Sequence, residues 1–221
     1  MSVIEGLRES FRLPDLRRRI IVTIVLLVIY RLAAKGPVPG VDRGVLRQVL
    51  SPGSNIGAFA QVLDLLSGGA VSNFSVLAMG VYPYITASII IQILTPVIPA
   101  LEELTKEGQA GRDKINRLTY YLAIPMAALQ AVGQINIFGA GTGSQIIPGF
   151  GFGAGGNPVL TLTVIAVMTA GTMFAIWLGE LITEDGIGNG LSLVIFAGIV
   201  ARVPLNLTRL FSADTAATFR N

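Results

Sequence analysis

From Val76 to Pro99 the chain reads VLAMGVYPYITASIIIQILTPVIP, without one charged side chain. A helix needs about 20 apolar residues to cross the ~30 Å hydrocarbon core of a bilayer, and this run is long enough. It is not purely greasy: Tyr82, Thr86, Ser88 and Gln92 are polar, and Pro83 lies inside it. Lipid offers such groups no hydrogen-bond partner, so one side of the span is predicted to meet other helices or water. Composition points the same way. Of the 221 residues 52% are hydrophobic and 13% charged, against about 25% charged in an ordinary soluble domain. The reading is an all-α integral membrane protein.

The chain contains neither Cys nor His. That removes disulfides, thiol nucleophiles, imidazole bases and the usual zinc and haem ligands. Near the N-terminus, Arg17, Arg18 and Arg19 precede an apolar run from Ile20 to Tyr30, which superficially suggests a secretory signal. Arg31 and Lys35 then interrupt and no small-residue cleavage site precedes them, so the segment reads as an uncleaved first span.

The pattern along the chain predicts five spans and one shorter piece. Residues 2–13 place Ile4, Leu7 and Phe11 on one face among charges, which reads as a short helix lying in the interface, or as a frayed polar tail; Pro14 ends it. Span 1 is expected over about Arg18 to Ala34, span 2 over Val76 to Leu94, span 3 over Leu118 to Asn136, span 4 over Val159 to Leu178, and span 5 from near Asn189, with Pro204 in or just past its end. A Gly- and Pro-rich loop fills 36–56, and a polar link runs from Glu102 to Arg117. Ala58 to Leu66 is apolar but interrupted by Asp64 and followed by Ser67-Gly68-Gly69-Ala70. It is too short to cross a bilayer and reads either as a re-entrant half-helix or as a surface helix outside the membrane.

Basic residues suggest an orientation. Five Arg lie in residues 1–19 and four Lys or Arg in 102–117, while the loop between spans 3 and 4 has none. By the positive-inside rule the N-terminus and the 102–117 link face the cytoplasm. Arg31, Lys35, Arg43 and Arg47 run against this, as does the acidic loop after span 4. Small residues at 123, 127 and 131 on span 3, and at 171, 175 and 179 on span 4, predict close helix packing.

Enzyme readings lack their parts. No base completes an acyl-transfer triad and no ligand set suits zinc. Gly186-Ile-Gly-Asn-Gly190 has glycines in the manner of a phosphate loop, yet no P-loop lysine follows. The expectation is a tight turn with Asn189 capping span 5, and Glu184 and Asp185 complementing the helix dipole. No cofactor is implied. A transport reading has more behind it. Ile85 and Ile89 on span 2, and Leu191 and Ile195 on span 5, are i,i+4 aliphatic pairs, each on one helical face. Such pairs can form a constriction that gates by dewetting. In most membrane helices they simply pack or face lipid, and spacing alone leaves both open.

Three stretches together resemble one family. Gly80-Val-Tyr-Pro-Tyr-Ile-Thr-Ala-Ser-Ile-Ile-Ile-Gln92, Glu107-Gly-Gln-Ala-Gly-Arg-Asp-Lys-Ile-Asn116 and Trp177-Leu-Gly-Glu-Leu-Ile-Thr-Glu-Asp-Gly-Ile-Gly-Asn-Gly-Leu-Ser192 look like SecY, the pore-subunit family of the bacterial Sec protein translocase. Arg17 to Arg19 and Pro37-Val-Pro-Gly-Val-Asp42 fit as well. The match runs in order from about residue 14 to 203.

The resemblance implies one half of a ten-span clam-shell channel: five transmembrane helices plus a re-entrant plug half-helix. Residues 1–14 would be the interfacial helix, 15–203 the five-span half with its plug at about 60–74, and 204–221 the outer loop in which the halves hinge. Ile85, Ile89, Leu191 and Ile195 fall on the family's pore-ring positions. Leu191 stands where isoleucine is common, and a bulky aliphatic still seals. Leu63, Leu65, Leu66, Ser67, Gly68 and Gly69 match the plug, and Arg112 and Lys114 the cytoplasmic loop that touches the motor. One edge of span 2 would form a lip of the lateral gate, where a signal sequence partitions between channel and lipid. Implied partners are the SecE and SecG subunits, the SecA motor or the ribosome, a secretory polypeptide with its signal sequence, membrane lipid, and the C-terminal half of the same protein. The implied setting is the bacterial plasma membrane, multi-pass with the N-terminus cytoplasmic. An isolated half is expected not to conduct.

Two other readings compete. A secondary transporter built from five-span repeats would frame a midplane substrate site with the half-helix and the Pro-broken span 2. It requires coupling charges within spans, and spans 2, 3 and 4 as drawn here hold none. The other is a structural or assembly subunit.

Overall fold

Proline and glycine decide where the helices break. The computed structural model describes residues 14–51, 57–67, 69–153 and 155–201. Among the described residues it is all-helical, with eight helices and a single isolated bridge, Pro37 to Ser75. The predicted interfacial helix, Gly68, Pro204 and the outer loop lie outside the described residues.

Helix α1 spans Pro14–Ala33. Pro14 opens it, where a missing N–H costs nothing, and Asp15 and Arg31 sit at the ends the helix dipole favours. The loop after it is not structureless. Asp42 accepts hydrogen bonds from the amides of Gly44 (2.7 Å) and Val45 (3.4 Å) and so starts a short helix, α2, Arg43–Val49. That cap was readable in the sequence and outweighs the surrounding glycines and prolines. Helix α3, Gly57–Leu66, is ten residues long, about 15 Å and half a bilayer.

Span 2 is shorter as a helix than the apolar run suggests. Residues 69–81 form successive turns, and α4 begins only at Tyr82, running to Leu94. Pro83 explains the shift: deep in a helix it would clash with the preceding turn, whereas in the first turn it does not. Before it, Gly80 adopts φ +53°, a conformation that favours glycine. After Leu94 the chain bends by 99° into α5, Pro99–Lys106.

The polar 102–117 link is helical too. Its first part is α5, and its second opens α6, Gln109–Thr142, with Gly108 at φ +73° between them. At 34 residues, about 51 Å, α6 extends past both ends of the expected span 3. Helix α7, Pro158–Asp185, likewise outruns span 4; Asn157 caps it by accepting from Val159 N (3.1 Å) and Leu160 N (3.3 Å). Helix α8, Gly190–Val200, begins at the expected cap, with Asn189 accepting from Ser192 N at 3.1 Å.

By length and composition, α6 over Gln109–Ala140 and α7 can cross a membrane, and α4 with α5 make a third only if the bent pair is one span. The arginines of α1 and the eleven residues of α8 keep those two from meeting the same standard.

Helix α7 organises the packing, with α1, α6 and α8 all against it. The small-residue stripes work as expected: Ala123, Ala127 and Ala131 are fully buried on α6, and Gly171, Ala175 and Gly179 are buried on α7. A Cβ at Gly171 would stand 2.1 Å from the carbonyl oxygen of Val76, so only glycine lets the 69–81 turns lie on α7. At one end of the bundle Val38, Ala60, Phe74, Phe138, Ile147 and Met168 share a core. A second cluster joins Tyr30, Leu77 and Val81 to Leu178, Ile182 and Val194.

Candidate constriction and plug

Helix α4 begins at Tyr82, and its fourth and eighth residues, Ile85 and Ile89, stand one turn apart on one face. Helix α8 places Leu191 and Ile195 in the same way. The structure brings three of the four together. Ile85, Leu191 and Ile195 are half-buried and pack on the cluster of Tyr30, Ala70, Leu77, Val81, Leu178 and Val194. Ile89 does not join them: it is 50% exposed. Leu191 is held from behind, since a Cβ at Gly179 of α7 would fall 2.6 Å from its Cδ2. Gly190 donates its amide to Thr183 Oγ1 at 2.9 Å, tying the start of α8 to α7.

The short helix α3 packs against α8, the helix that carries Leu191 and Ile195. Ala60 is buried in the first core. The interruption at Asp64 has a structural use: this carboxylate, 6% exposed, accepts from Ser72 N at 2.6 Å and from Ser72 Oγ at 2.5 Å. Ser67 is buried, donating to the carbonyl of Asp64 (3.2 Å) and accepting from Val71 N (3.2 Å). Gly69 takes φ +93° and donates its amide to the same carbonyl at 2.8 Å. Leu63, Leu65 and Leu66 lie on α3 itself, while Gly68 is outside the described residues.

Arg112 and Lys114 occupy the first turns of α6, both exposed. Lys114 pairs with Glu107 across the Gly108 turn at 2.8 Å, and Lys106 with Glu102 at 2.7 Å. Such exposed pairs add little to stability.

Sequence reading missed three polar contacts between elements. Asp64 with Ser72 is one. Arg19 of α1 donates to the carbonyl of Gly186 at 3.2 Å, and Thr23 Oγ1 accepts from Ile187 N at 3.2 Å, so α1 is fastened to the turn between α7 and α8. The third joins Tyr84, Tyr120 and Glu180. The Tyr120 hydroxyl donates to Glu180 Oε1, and the Tyr84 and Tyr120 rings lie 5.4 Å apart. Glu180 falls two residues past the expected end of span 4; because α7 continues to Asp185, it stands inside the helix and half-buried. Its signal was available, since an acid beside an apolar span needs a partner, but nothing in the sequence named Tyr120.

A family model described as SecY matches residues 75–220. A protein translocase subunit SecY of Streptomyces galbus is 42% identical over 217 residues, covering 95% of this chain and 48% of the relative. The subunit of the same name in Mycobacterium tuberculosis is 46% identical over 200 residues, covering 89% of this chain and 45% of the relative. Among solved structures, Sec61 in the canine ribosome-channel complex from the endoplasmic reticulum matches with a TM-score of 0.52 at 20% identity, over 90% of this chain and 41% of that one. A second, described as the structure of a protein conducting channel, matches with a TM-score of 0.52 at 22% identity, over 90% of this chain and 41% of that one. The two structures speak for the fold. The chain spans about half the length of the relatives it matches.

Proposed function

The chain belongs to the SecY family, and from that premise we propose that it is the first half of a channel subunit through which secretory polypeptides cross or enter the membrane. It is a multi-pass membrane protein. In this reading residues 15–203 form the five-span half, counting α1, α4, α6, α7 and α8, with α3 as plug at about 60–74. Residues 1–14 lie in the interface, and 204–221 belong to the outer loop. A second half of five spans closes the pore.

The constriction consists of Ile85, Ile89, Leu191 and Ile195 with their counterparts from that second half. Aliphatic side chains suit a polypeptide pore. They carry no charge to hold a passing chain, deform around varied side chains, and exclude water and ions when the pore is empty. The free edge of α4 opens towards lipid, so an apolar signal sequence can partition sideways. The N-terminus lies in the cytoplasm of a bacterium, where Arg112 and Lys114 meet the SecA motor or the ribosome. SecE and SecG complete the complex, and the motor or ribosome supplies the energy.

The observation that carries the reading is the packing of Ile85, Leu191 and Ile195, distant in sequence, around one apolar cluster beside which α3 lies. The test places photo-crosslinkers at 85 and 195 in a full-length channel whose first 221 residues are this sequence. A stalled secretory precursor should crosslink at both. Protection of those positions by a small solute, with no polypeptide crosslink, would favour a transporter instead.

A further inference from the structure

Behind the proposed constriction, three helices meet at Tyr84 of α4, Tyr120 of α6 and Glu180 of α7. The hydroxyl of Tyr120 donates to Glu180 Oε1, and the ring of Tyr84 lies tilted on that of Tyr120 at 5.4 Å and 34°. Both tyrosines pack on a small buried cluster of Ala87, Ala123 and Ile176. Each end of this contact adjoins a ring residue. Tyr84 precedes Ile85, and neighbouring helical residues point about 100° apart, so one side chain grips α6 while the next reaches the cluster shared with α8. Glu180 follows Gly179, against whose backbone Leu191 is seated.

The geometry points to Tyr84, Tyr120 and Glu180 as a brace that sets the spacing between the two aliphatic pairs of the constriction, Ile85/Ile89 on α4 and Leu191/Ile195 on α8. This rests on the pore-ring reading above and adds the residues that position the ring. Helix α7 is the bracket. One face holds the start of α8 through the Gly190 amide on Thr183 Oγ1, and another holds α4 through Glu180, Tyr120 and Tyr84. A hydrogen bond on a carboxyl group is the strong member of this chain, because inside apolar packing its loss leaves an acid without a partner. The ring stack alone can slide. Without the hydrogen bond α4 gains freedom relative to α8, and a seal that works by excluding water fails with a small widening.

These are positioning residues, so the test must read the seal and not stability alone. Tyr120→Phe, Glu180→Ala and Glu180→Gln are each made in a full-length channel carrying this sequence and reconstituted in vesicles. Ion leak through the resting channel is measured, together with the stalled-precursor crosslink at position 85. In parallel, Ile85→Cys and Leu191→Cys are joined by thiol linkers of graded length; these 221 residues contain no Cys, and any Cys in the second half is first replaced by Ser. Tyr120→Phe and Glu180→Ala should raise the leak about tenfold and shift the preferred linker length, while precursor still crosslinks at 85. Glu180→Gln should stay within about twofold of the unaltered channel, because an amide oxygen still accepts from Tyr120. Unchanged leak and linker length in Tyr120→Phe would overturn the brace, as would a Glu180→Gln channel as leaky as Glu180→Ala. A channel without substitutions that gives no precursor crosslink at 85 or 195 would overturn the constriction reading, and the brace with it.

Discussion

Asp64 near the end of α3 accepts two hydrogen bonds from Ser72, one from its amide at 2.6 Å and one from its hydroxyl at 2.5 Å. The carboxylate is nearly buried, and the contact staples α3 to the turns that lead into α4. A staple of this kind can hold a short helix in place without the long apolar face that it lacks.

Asp64→Ala should therefore loosen α3, at a cost of about 1–3 kcal/mol for the amide and hydroxyl left behind. Asp64→Asn should cost less, since its amide oxygen still accepts from Ser72 N. The measurement is thiol labelling of Ala60→Cys, a position with 0% exposure. Labelling should stay slow with Asp64 present and quicken in Asp64→Ala.

Helix α7 should be intolerant at one glycine, and α6 tolerant at another. At Gly171 a Cβ would meet the carbonyl oxygen of Val76 at 2.1 Å, and backbone cannot step aside as a flexible side chain can. Gly171→Ala is expected to destabilise by about 1–3 kcal/mol. Gly133 has nothing within 4 Å of that position, so Gly133→Ala should be neutral or gain up to about 1 kcal/mol of helix preference. Thermal unfolding of the two purified variants compares them directly.

Thr23→Val should leave the Ile187 amide without the hydroxyl that now accepts from it at 3.2 Å. The expected cost is about 1 kcal/mol. Hydrogen exchange at Ile187 should speed up, and more so when Arg19→Gln also removes the contact to the Gly186 carbonyl. If exchange stayed at its original rate, α1 would not be fastened to the α7–α8 turn in solution.

If Arg112 and Lys114 meet the motor as proposed, they should show the reverse pattern, with function affected and stability spared. Both are exposed, and the Lys114–Glu107 pair is an open surface contact. Charge reversal at 112 and 114 should move stability by no more than about 1 kcal/mol. Stimulation of the motor by the channel should fall steeply, more so at low salt, where unscreened charges act furthest. Full stimulation by the reversed channel would remove these residues from the motor contact.

Much of the candidate site was legible because it is local. The i,i+4 spacing of Ile85 with Ile89 and of Leu191 with Ile195 follows from helical geometry, and Asn189 announces its cap by residue type. A helix too short to cross a bilayer was legible at 58–66 from its length, and the packing stripes from alanine and glycine at every fourth place. Helix ends were read less well. Proline inside the run at 83 moved the start of α4 to Tyr82, and α6 absorbed a polar stretch because Gln109 to Arg117 favours helix when joined to an apolar one.

Residue order alone determined the membrane class, the succession of apolar segments and the family motifs, since each depends on neighbours along the chain. Folding decided which side chains face each other across helices. Asp64 and Ser72 pair over a tight turn, Tyr120 reaches Glu180 from another helix, and Ile89 stands apart while Ile85 joins Leu191. The reason is geometric. Periodicity tells which face of a helix a residue occupies, whereas the partner on that face depends on how whole helices are rotated and shifted against one another, and packing sets that only when all of them are present.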